Sequence, residues 1–403
     1  MNRTARISGR LITFLHISFI AISFLPLALL GDEKATSRPA AEWNYDVYRK
    51  TYPEQVSTVH TSQSGNEFME PAQQFCRSGE RPTKSQRELS RRILLAWRDL
   101  LGPSKRNTGP LKARVLETKD FPNYTRQKVE YEADPGEPVH AWLFIPKNLK
   151  GKAPAMLCLH QTVQEGKDQA AGLTTSPELA FGPLLAERGY VTLCPDAICF
   201  GERYQVGGSF YCHYGDAVRI YQGNAGRSIM SKMIDDAMRA VDYLVSRPEV
   251  DKKRIGSIGH SHGGYGTLFA MAYDERIKAG VVSCGFTSFR ADPTPDRWYR
   301  RTALIPRLGG FEGRMNETPV DFHQLFAAIA PRALFISAAM KDSIFPGVGD
   351  VNWMRENVDE IYESLKSPSA FELYAFDGAH AFTPEARDRA WKFLNTHLHH
   401  NVK

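Results

Sequence analysis

The stretch Ile255-Gly256-Ser257-Ile258-Gly259-His260-Ser261-His262-Gly263-Gly264 decides the fold of this chain. Its first five residues are typical of a short buried strand, and a helix is predicted directly after it, over residues 262–273. Residues 259–263 fit the pattern G-x-S-x-G, which places a serine on a sharp strand-to-helix turn. The two glycines leave out Cβ atoms that would clash in such a turn. The stretch therefore predicts that the hydroxyl of Ser261 stands clear of the backbone at the end of a strand.

A serine in this setting is a candidate nucleophile. Its hydroxyl is a weak nucleophile until a base removes the proton, so the chemistry requires an accessible oxygen. The helix start also presents backbone N–H groups to a developing negative charge. The alternative is a glycine-rich turn in some other α/β protein, and only partner residues elsewhere in the chain decide between the two.

Length and composition are those of an ordinary globular protein. The chain has 403 residues, of which 42% are hydrophobic and 24% are charged, and its formal net charge is +6. Length alone suggests two or three domains, although large α/β folds often exceed the average domain size. Lysine and arginine are scattered rather than clustered, so no nucleic-acid partner is predicted.

The N-terminal 31 residues differ from the rest. Arg3, Arg6 and Arg10 precede an uncharged run over residues 11–30. This pattern is typical of a signal peptide, so we expect export to the periplasm or the extracellular space. Because the run is long enough to cross a bilayer, an uncleaved membrane anchor over residues 11–30 is the alternative. Residues 1–31 are excluded from the fold.

Cysteine and histidine usage predicts neither a metal site nor a cofactor. Cys158, Cys194 and Cys284 fall in apolar runs and are interpreted as small buried hydrophobic residues. Cys199 and Cys212 lie in an irregular stretch, where an exported protein is able to pair them, but sequence does not fix the connectivity. The chain has no CxxC motif and no cluster of histidine ligands.

Residues 32–125 are interpreted as an N-terminal arm and a helix that packs on the main domain. Residues 32–84 are polar and irregular. Ser85 and Glu88 form a capping box that predicts the helix start. The helix is predicted to end at Gly102-Pro103. Its apolar face consists of Leu89, Ile93, Trp97, Leu100 and Leu101.

Residues 126–403 are predicted to form the main domain. Strands alternate with helices over more than half of the chain, which predicts an α/β fold with a doubly wound, mostly parallel sheet and helices on both faces. The first two strands are joined by a turn at Asp134-Pro135-Gly136 and are expected to form a hairpin. Residues 286–328 interrupt the alternation and are interpreted as an insertion. The predicted strands span residues 127–131, 140–145, 155–159, 190–194, 255–259, 279–284, 332–339 and 371–376.

Two residues that follow strands are the candidate partners of Ser261. His380 comes directly after the last strand, and Asp342 follows the strand over 332–339 by three residues. Ligands of doubly wound sheets bind beyond the carboxyl ends of the strands, so these side chains are expected to meet. The order Ser261, Asp342, His380 fits a nucleophile, an orienting acid and a general base. Asp377 is the rival acid.

Two further points complete the candidate site. His260 and His262 are rival bases, but at a sharp turn their side chains point away from the hydroxyl. The backbone N–H of His262 is the expected first oxyanion donor, because it directly follows the serine. The second donor is expected from the loop after residue 159, with the N–H of Thr162 favoured and that of Gln161 as the alternative.

With these residues in place, the chain from about residue 85 to 398 resembles the α/β-hydrolase superfamily. Within it, the chain is similar to the dienelactone-hydrolase and acetyl-xylan-esterase-like group of exported bacterial esterases. Relatives commonly have His-Gly where this chain has His160-Gln161, and dienelactone hydrolases use cysteine where it has Ser261. The motifs that carry the resemblance are Leu159-His160-Gln161-Thr162, Pro195-Asp196, Phe200-Gly201-Glu202-Arg203, Gly259–Gly264, Asp342 and Gly378-Ala379-His380.

The resemblance implies a serine carboxylic-ester hydrolase that forms an acyl-enzyme. Its expected substrates are small-molecule or carbohydrate esters, in particular acetylated or uronyl sugars. Trp298 and Tyr204 are candidate stacking walls for a sugar ring, and Arg297 is a candidate carboxylate ligand. The alternative is that these three are ordinary surface residues.

Two other functions stay open at this point. The first is a serine peptidase of the prolyl-oligopeptidase kind, which uses the same triad. Those enzymes carry a large propeller, whereas residues 32–125 are short and contain no repeat. The second is a catalytically silent binding protein, although no member of the candidate triad is missing.

Overall fold

A nine-stranded sheet organises the part of the chain that the structure describes. The structure, a computed structural model, describes residues 45–51, 82–203 and 226–398. The strands are β1 (Arg114–Asp120), β2 (Tyr124–Glu132), β3 (Pro138–Pro146), β4 (Ala153–Leu159), β5 (Val191–Pro195), β6 (Val250–His260), β7 (Ile277–Ser283), β8 (Ala333–Ala339) and β9 (Phe371–Phe376).

The α-helices alternate with the strands from β4 onward. They are α1 (Tyr45–Thr51), α2 (Pro82–Leu101), α3 (Lys167–Ala170), α4 (Phe181–Ala186), α5 (Ile229–Ser246), α6 (His262–Tyr273), α7 (Phe322–Ile329), α8 (Val351–Ser364) and α9 (Pro384–Leu398). Short 3-10 helices add turns between them, at Pro177–Leu179, Gly201–Arg203, Pro295–Trp298, Pro306–Phe311, Met315–Glu317 and Pro368–Ala370.

The sheet order is β1-β2-β3-β5-β4-β6-β7-β8-β9. Strands β4 to β9 run parallel to one another, whereas β1, β2 and β3 are antiparallel additions at one edge. The predicted doubly wound, mostly parallel sheet is therefore confirmed. Every residue of β8 is buried, as expected for a strand that is covered by helices on both faces.

The sheet begins earlier than the sequence suggested. β2 and β3 form the predicted hairpin, but β1 pairs with β2 and lies upstream of residue 126, within the segment interpreted as an arm. All seven residues of β1 are exposed, so it lacks the apolar alternation that identifies a strand. Its position at the edge of the sheet explains this composition, because an edge strand need not bury a face.

Helix α2 forms part of the hydrophobic core. It begins at Pro82, so the expected start at Ser85 was wrong and Ser85 lies within the first turn. The predicted apolar face is buried, and Trp97 is fully enclosed. The Trp97 ring centroid lies 5.1 Å from that of Phe269 in α6 and 5.7 Å from that of Phe322 in α7. Helix α2 therefore packs against α6, the helix that follows Ser261.

The predicted insertion over residues 286–328 contains three of the 3-10 helices and ends in α7. Asp321 is the N-cap of α7 and forms a capping box with Gln324. The Asp321 carboxylate also accepts hydrogen bonds from the backbone N–H of Phe289 at 3.0 Å and from the hydroxyl of Ser288 at 3.2 Å. This buried carboxylate thereby fixes the loop that leaves β7 against the insertion.

Some sequence-based predictions fall outside the described residues. They are the signal peptide or anchor over residues 1–31, the candidate Tyr204, and Cys212 as a disulfide partner. Within the described ranges, no helix combines the length and apolarity that a membrane span requires.

The packing of α2 gives a first prediction. Trp97→Ala removes a fully buried indole that contacts two other helices, so it should lower the free energy of unfolding by about 3–5 kcal/mol. Leu95→Ala on the same helix is the control, because Leu95 is 51% exposed and its loss should cost less than about 0.5 kcal/mol. Urea denaturation of both variants measures the difference. Equal stabilities would show that α2 does not belong to the core.

Candidate active site

Ser261 lies at a strained turn between β6 and α6. It is the N-cap of α6, with φ of 57° and ψ of −118°, a conformation that is costly for a residue with a side chain. Its N–H donates to the carbonyl of Ser283 at the end of β7, at 2.8 Å, and its carbonyl accepts from Tyr265 N–H at 3.1 Å. These bonds hold the turn in the strained geometry, which presents the hydroxyl at the carboxyl end of the sheet.

The two glycines of the motif permit backbone contacts that no other residue allows. A Cβ at Gly259 would lie 2.1 Å from the carbonyl oxygen of Gly263. A Cβ at Gly263 would lie 2.1 Å from the carbonyl oxygen of Leu159, the last residue of β4. The start of α6 therefore sits directly against the loop that follows β4.

Asp342 and His380 are bonded to each other. Asp342 Oδ2 lies 2.7 Å from His380 Nδ1. Asp342 Oδ1 accepts from the N–H groups of Ile344 at 2.8 Å and Phe345 at 2.9 Å. Burial raises the pKa of Asp342, but the hydrogen bonds and the charge of His380 outweigh burial, so its pKa lies below the ordinary value. Asp342 is therefore ionised at neutral pH and orients the imidazole.

The ring of His380 lies beside the serine turn. Its centroid is 4.6 Å from that of His260, the residue directly before Ser261, and 5.8 Å from that of Phe345. Because Nδ1 is engaged by Asp342, Nε2 is the nitrogen left to accept a proton. The rival acid Asp377 pairs with Lys341 at 2.7 Å on the exposed surface instead.

The other two histidines at the turn are buried and have different partners. His260 Nδ1 lies 2.9 Å from the hydroxyl of Ser283. Burial and the neighbouring His380 lower the pKa of His260 to about 3, so this ring stays neutral. His262 Nδ1 donates to the carbonyl of His160 at 3.3 Å. Both rings therefore stabilise the turn through hydrogen bonds to neighbouring residues, which agrees with their interpretation as packing residues.

The loop after β4 carries the two candidate oxyanion donors. The N–H of Gln161 donates to the side-chain oxygen of Gln169 in α3, at 3.1 Å. The N–H of Thr162, in contrast, has no acceptor among the described residues. The backbone N–H of Thr162, and not that of Gln161, is therefore available to donate a hydrogen bond to a substrate oxyanion. Gln169 gave no signal in the sequence, because the short helix α3 was not predicted.

The residues around Asp196 form an ionic cluster in which Asp196, Lys167 and Arg203 are buried and Glu202 is exposed. Asp196 accepts from Lys167 Nζ at 2.9 Å and from the N–H of Glu202 at 3.0 Å. Lys167 Nζ also pairs with Glu202 at 2.6 Å. Arg203 binds Asp236 of α5 at 2.8 Å and the carboxylate of Glu137 at 2.6 Å. The motifs at 195–196 and 200–203 thus have a structural role, since they fix the loop after β5 beside the loop that carries the candidate oxyanion donors.

Two of the candidate substrate-binding residues, Trp298 and Tyr204, are not placed by the structure in a substrate-binding surface. Trp298 is 1% exposed and packs on Tyr265, Phe289 and Phe322, so its expected role as a sugar-stacking wall was wrong. Its large ring completes the core under the insertion instead. Tyr204 lies outside the described residues.

Arg297 lies near the candidate triad. Its guanidinium lies 5.4 Å from the ring centroid of Phe345, which itself contacts His380. Nη2 binds Asp292 at 3.1 Å, and Nε donates to the carbonyl of Thr294 at 3.1 Å. Nη1 is buried and has no partner among the described residues. Burial lowers the pKa of Arg297, although the carboxylate of Asp292 opposes the shift.

Cys284 lies next to the Asp342–His380 pair. One side-chain donor atom each of Cys284, Asp342 and His380 falls within 4.8 Å of the other two. Burial raises the pKa of the Cys284 thiol to about 12, so it is protonated at neutral pH and is a poor metal ligand. Cys158, Cys194 and Cys284 are buried, which confirms their interpretation as small apolar residues.

Comparison with known proteins supports this assignment of the fold. A family model described as "Glucuronyl esterase, fungi" matches residues 190–365, a segment that includes Ser261 and Asp342 and covers less than half of the chain. The protein YtaP of Bacillus subtilis (strain 168) is 25% identical over 299 residues, which are 72% of this chain and 93% of YtaP.

Two solved structures share the fold. The glucuronoyl esterase from Solibacter usitatus has a TM-score of 0.64 at 19% identity, over 78% of this chain and 93% of that one. Acetyl xylan esterase 1 from Thermoanaerobacterium sp. JW/SL YS485 has a TM-score of 0.51 at 18% identity, over 75% of this chain and 92% of that one.

The chain therefore has the α/β-hydrolase fold and is a carboxylic-ester hydrolase of the serine esterase type. Within that class its similarities are to carbohydrate esterases, including glucuronoyl and acetyl xylan esterases. The resemblance to acetyl xylan esterases is confirmed, whereas the resemblance to dienelactone hydrolases stays a prediction.

The close contact at Gly263 gives a second prediction. Gly263→Ala places a methyl group 2.1 Å from the carbonyl oxygen of Leu159, so the turn or the loop must move. We expect a loss of about 1–3 kcal/mol in stability and at least ~10²-fold in ester hydrolysis.

Gly266→Ala on the same helix is the matched control. Its new Cβ would lie 3.1 Å from the flexible end of the Leu159 side chain, and alanine favours the helix. Thermal melts and hydrolysis of an aryl acetate measure both variants. Full activity in Gly263→Ala would show that the loop and the turn are not held in contact.

Proposed function

We propose that Ser261, His380 and Asp342 form the catalytic triad of an esterase that cleaves uronyl esters of carbohydrates. The observation that carries the proposal is the 2.7 Å bond between Asp342 and His380, directly beside the strained turn that presents Ser261. This is the arrangement by which a carboxylate orients an imidazole toward a serine hydroxyl.

The first half of the proposed reaction acylates Ser261. His380 Nε2 takes the proton of the Ser261 hydroxyl as the oxygen attacks the ester carbonyl, and a tetrahedral intermediate with a negative oxygen forms. Asp342 stabilises the imidazolium that results, and its lowered pKa keeps it ionised in this role. The intermediate then expels the alcohol, which receives the proton from His380.

The second half regenerates the enzyme. His380 takes a proton from water, the hydroxide oxygen attacks the acyl carbon, and the bond to Ser261 Oγ breaks as His380 returns the proton to it. We propose that the N–H groups of His262 and Thr162 bind the negative oxygen in both halves. His262 is the first residue of α6, and Thr162 N–H has no acceptor among the described residues.

The proposed substrate class rests on Arg297 and on the match to the glucuronyl esterase family. Two of the guanidinium nitrogens are fixed by Asp292 and Thr294, while Nη1 lacks a partner among the described residues. Apart from the ester group that both substrates share, a uronyl group brings hydroxyl oxygens that suit such a donor, whereas an acetyl group brings only a methyl. Acetylated carbohydrates are therefore the alternative substrates.

We further propose export, on the basis of residues 1–31, with a membrane anchor over residues 11–30 as the alternative. The basic start and the uncharged run support this assignment.

Replacement of the nucleophile tests the mechanism. Ser261→Ala should lower ester hydrolysis by roughly 10⁴- to 10⁶-fold and leave the fold intact, because the hydroxyl is the attacking group. The panel consists of a glucuronate methyl ester, acetylated xylan, an aryl acetate and a peptide amide, followed with wild type and variant. Substantial hydrolysis by a folded Ser261→Ala protein would contradict the triad. Amide cleavage above ester cleavage would favour the peptidase.

Arg297→Gln tests the substrate class. It should lower kcat/KM on the glucuronate ester at least ~10-fold and change turnover of the aryl acetate little, because only the uronyl group offers hydroxyl oxygens to the guanidinium. A merely structural role would affect both substrates equally. Arg290→Gln is the control, since Arg290 pairs with Asp350 at 2.8 Å and lies over the ring of Trp353. Equal losses on both esters would overturn the assignment of Arg297.

A further inference from the structure

The imidazole of His160 bridges two loops at the candidate oxyanion site. His160 Nδ1 lies 2.6 Å from the carbonyl oxygen of Gln161, and the N–H of Ala197 donates to His160 Nε2 at 3.0 Å. A carbonyl oxygen only accepts, so Nδ1 carries a proton, and a backbone N–H only donates, so Nε2 does not. The two partners thus define a neutral ring with its proton on Nδ1.

This tautomer determines the direction of the next peptide group. The bond between Gln161 and Thr162 is trans, since it is not among the cis peptides of the described chain. In a planar trans peptide the C=O and N–H groups point in opposite directions. Because His160 holds the Gln161 carbonyl on its own side, the N–H of Thr162 points away from the ring.

Two more hydrogen bonds fix the rest of the loop. Gln169 Oε1 accepts from the N–H of Gln161 at 3.1 Å, which removes that N–H as an oxyanion donor. The ring of His262 donates to the carbonyl of His160 at 3.3 Å and ties the loop to the residue after Ser261. Gln161 therefore has both its backbone N–H and its carbonyl engaged, whereas the N–H of Thr162 has no acceptor among the described residues.

We propose that His160 is a positioning residue, which sets the oxyanion hole by orienting the Gln161–Thr162 peptide so that the N–H of Thr162 faces the reacting carbonyl. The inference deepens the proposed function and rests on it. His160 touches no reacting atom in this scheme and acts through the backbone of the next two residues.

Burial keeps the ring of His160 neutral near neutral pH. His160 is 2% exposed, and its ring packs against those of Phe200 and His262, with centroids 5.3 and 5.7 Å away. Burial lowers the pKa of His160, which keeps Nε2 free to accept from Ala197. Because the pKa of His160 is lower in the folded state, the stabilisation of the fold by the neutral ring is present at pH above the ordinary histidine range. It is lost as the pH falls.

The first test replaces the ring and keeps its size. His160→Phe retains an aromatic ring but removes both hydrogen bonds, so kcat on an aryl acetate should fall ~10²–10³-fold, with KM changed little. The inhibition constant of a trifluoromethyl ketone, which forms an oxyanion on the serine, should rise by a similar factor. His160→Asn keeps one donor and one acceptor and should recover part of the activity.

His323→Phe is the matched control. His323 is buried in α7, neither ring nitrogen has a hydrogen-bond partner among the described residues, and it is not part of the site. The same substitution there should leave kcat and the inhibition constant within about twofold of wild type. This variant shows the effect of replacing a buried histidine by phenylalanine at a position away from the proposed oxyanion loop.

A spectroscopic measurement covers the case in which His160→Phe fails to fold. Imidazole nitrogen shifts of ¹⁵N-histidine wild-type protein, assigned with His160→Asn, should show a neutral ring protonated on Nδ1 at pH 7. A folded His160→Phe enzyme with kcat within threefold of wild type would overturn the inference, as would a ring protonated on Nε2. Absence of any esterase activity in wild type would instead refute the proposed function.

Discussion

The contact between the start of α6 and the end of β4 is the constraint on which the site depends. At Gly263 the helix backbone approaches the Leu159 carbonyl more closely than any side chain would permit. This approach brings the turn that carries Ser261 against the loop that carries Thr162. The proposed nucleophile and the proposed oxyanion donor, which follow separate strands, thereby come together, and the cost is the strained backbone at Ser261. The strain persists because hydrogen bonds to the neighbouring strand and helix hold it.

Several polar groups around this contact are buried and paired, which restricts the positions of the loops. The ionic cluster of Lys167, Asp196 and Glu202 fixes the loop after β5. His160 connects that loop to the loop after β4, which carries the proposed oxyanion donor. An unpaired buried polar group would cost about 1–3 kcal/mol, so each member favours one arrangement of its neighbours. Rigidity of this kind suits catalysis, because donors that are already oriented need no reorganisation in the transition state.

The fold was predictable because its central strands leave a clear signal. Strands covered on both faces are continuous apolar runs, and β4 and β8, which are almost entirely buried, lie where strands were predicted. β1 was missed because an exposed edge strand has no apolar face. The start of α2 was placed three residues late, because the capping pattern at Ser85 lies inside the helix. Trp298 was assigned to the surface, since composition alone does not reveal which face of an insertion turns inward.

The sequence by itself determined the serine turn, the sheet class and the order of Ser261, Asp342 and His380, since these depend on local patterns and on where strands end. Only the tertiary structure decided that Asp342 rather than Asp377 binds His380, because both acids lie in loops and a bond depends on distance. The tertiary structure also decided that the backbone N–H of Gln161 donates to the side chain of Gln169. Such pairings join residues from separate elements, so they exist only once the chain has folded.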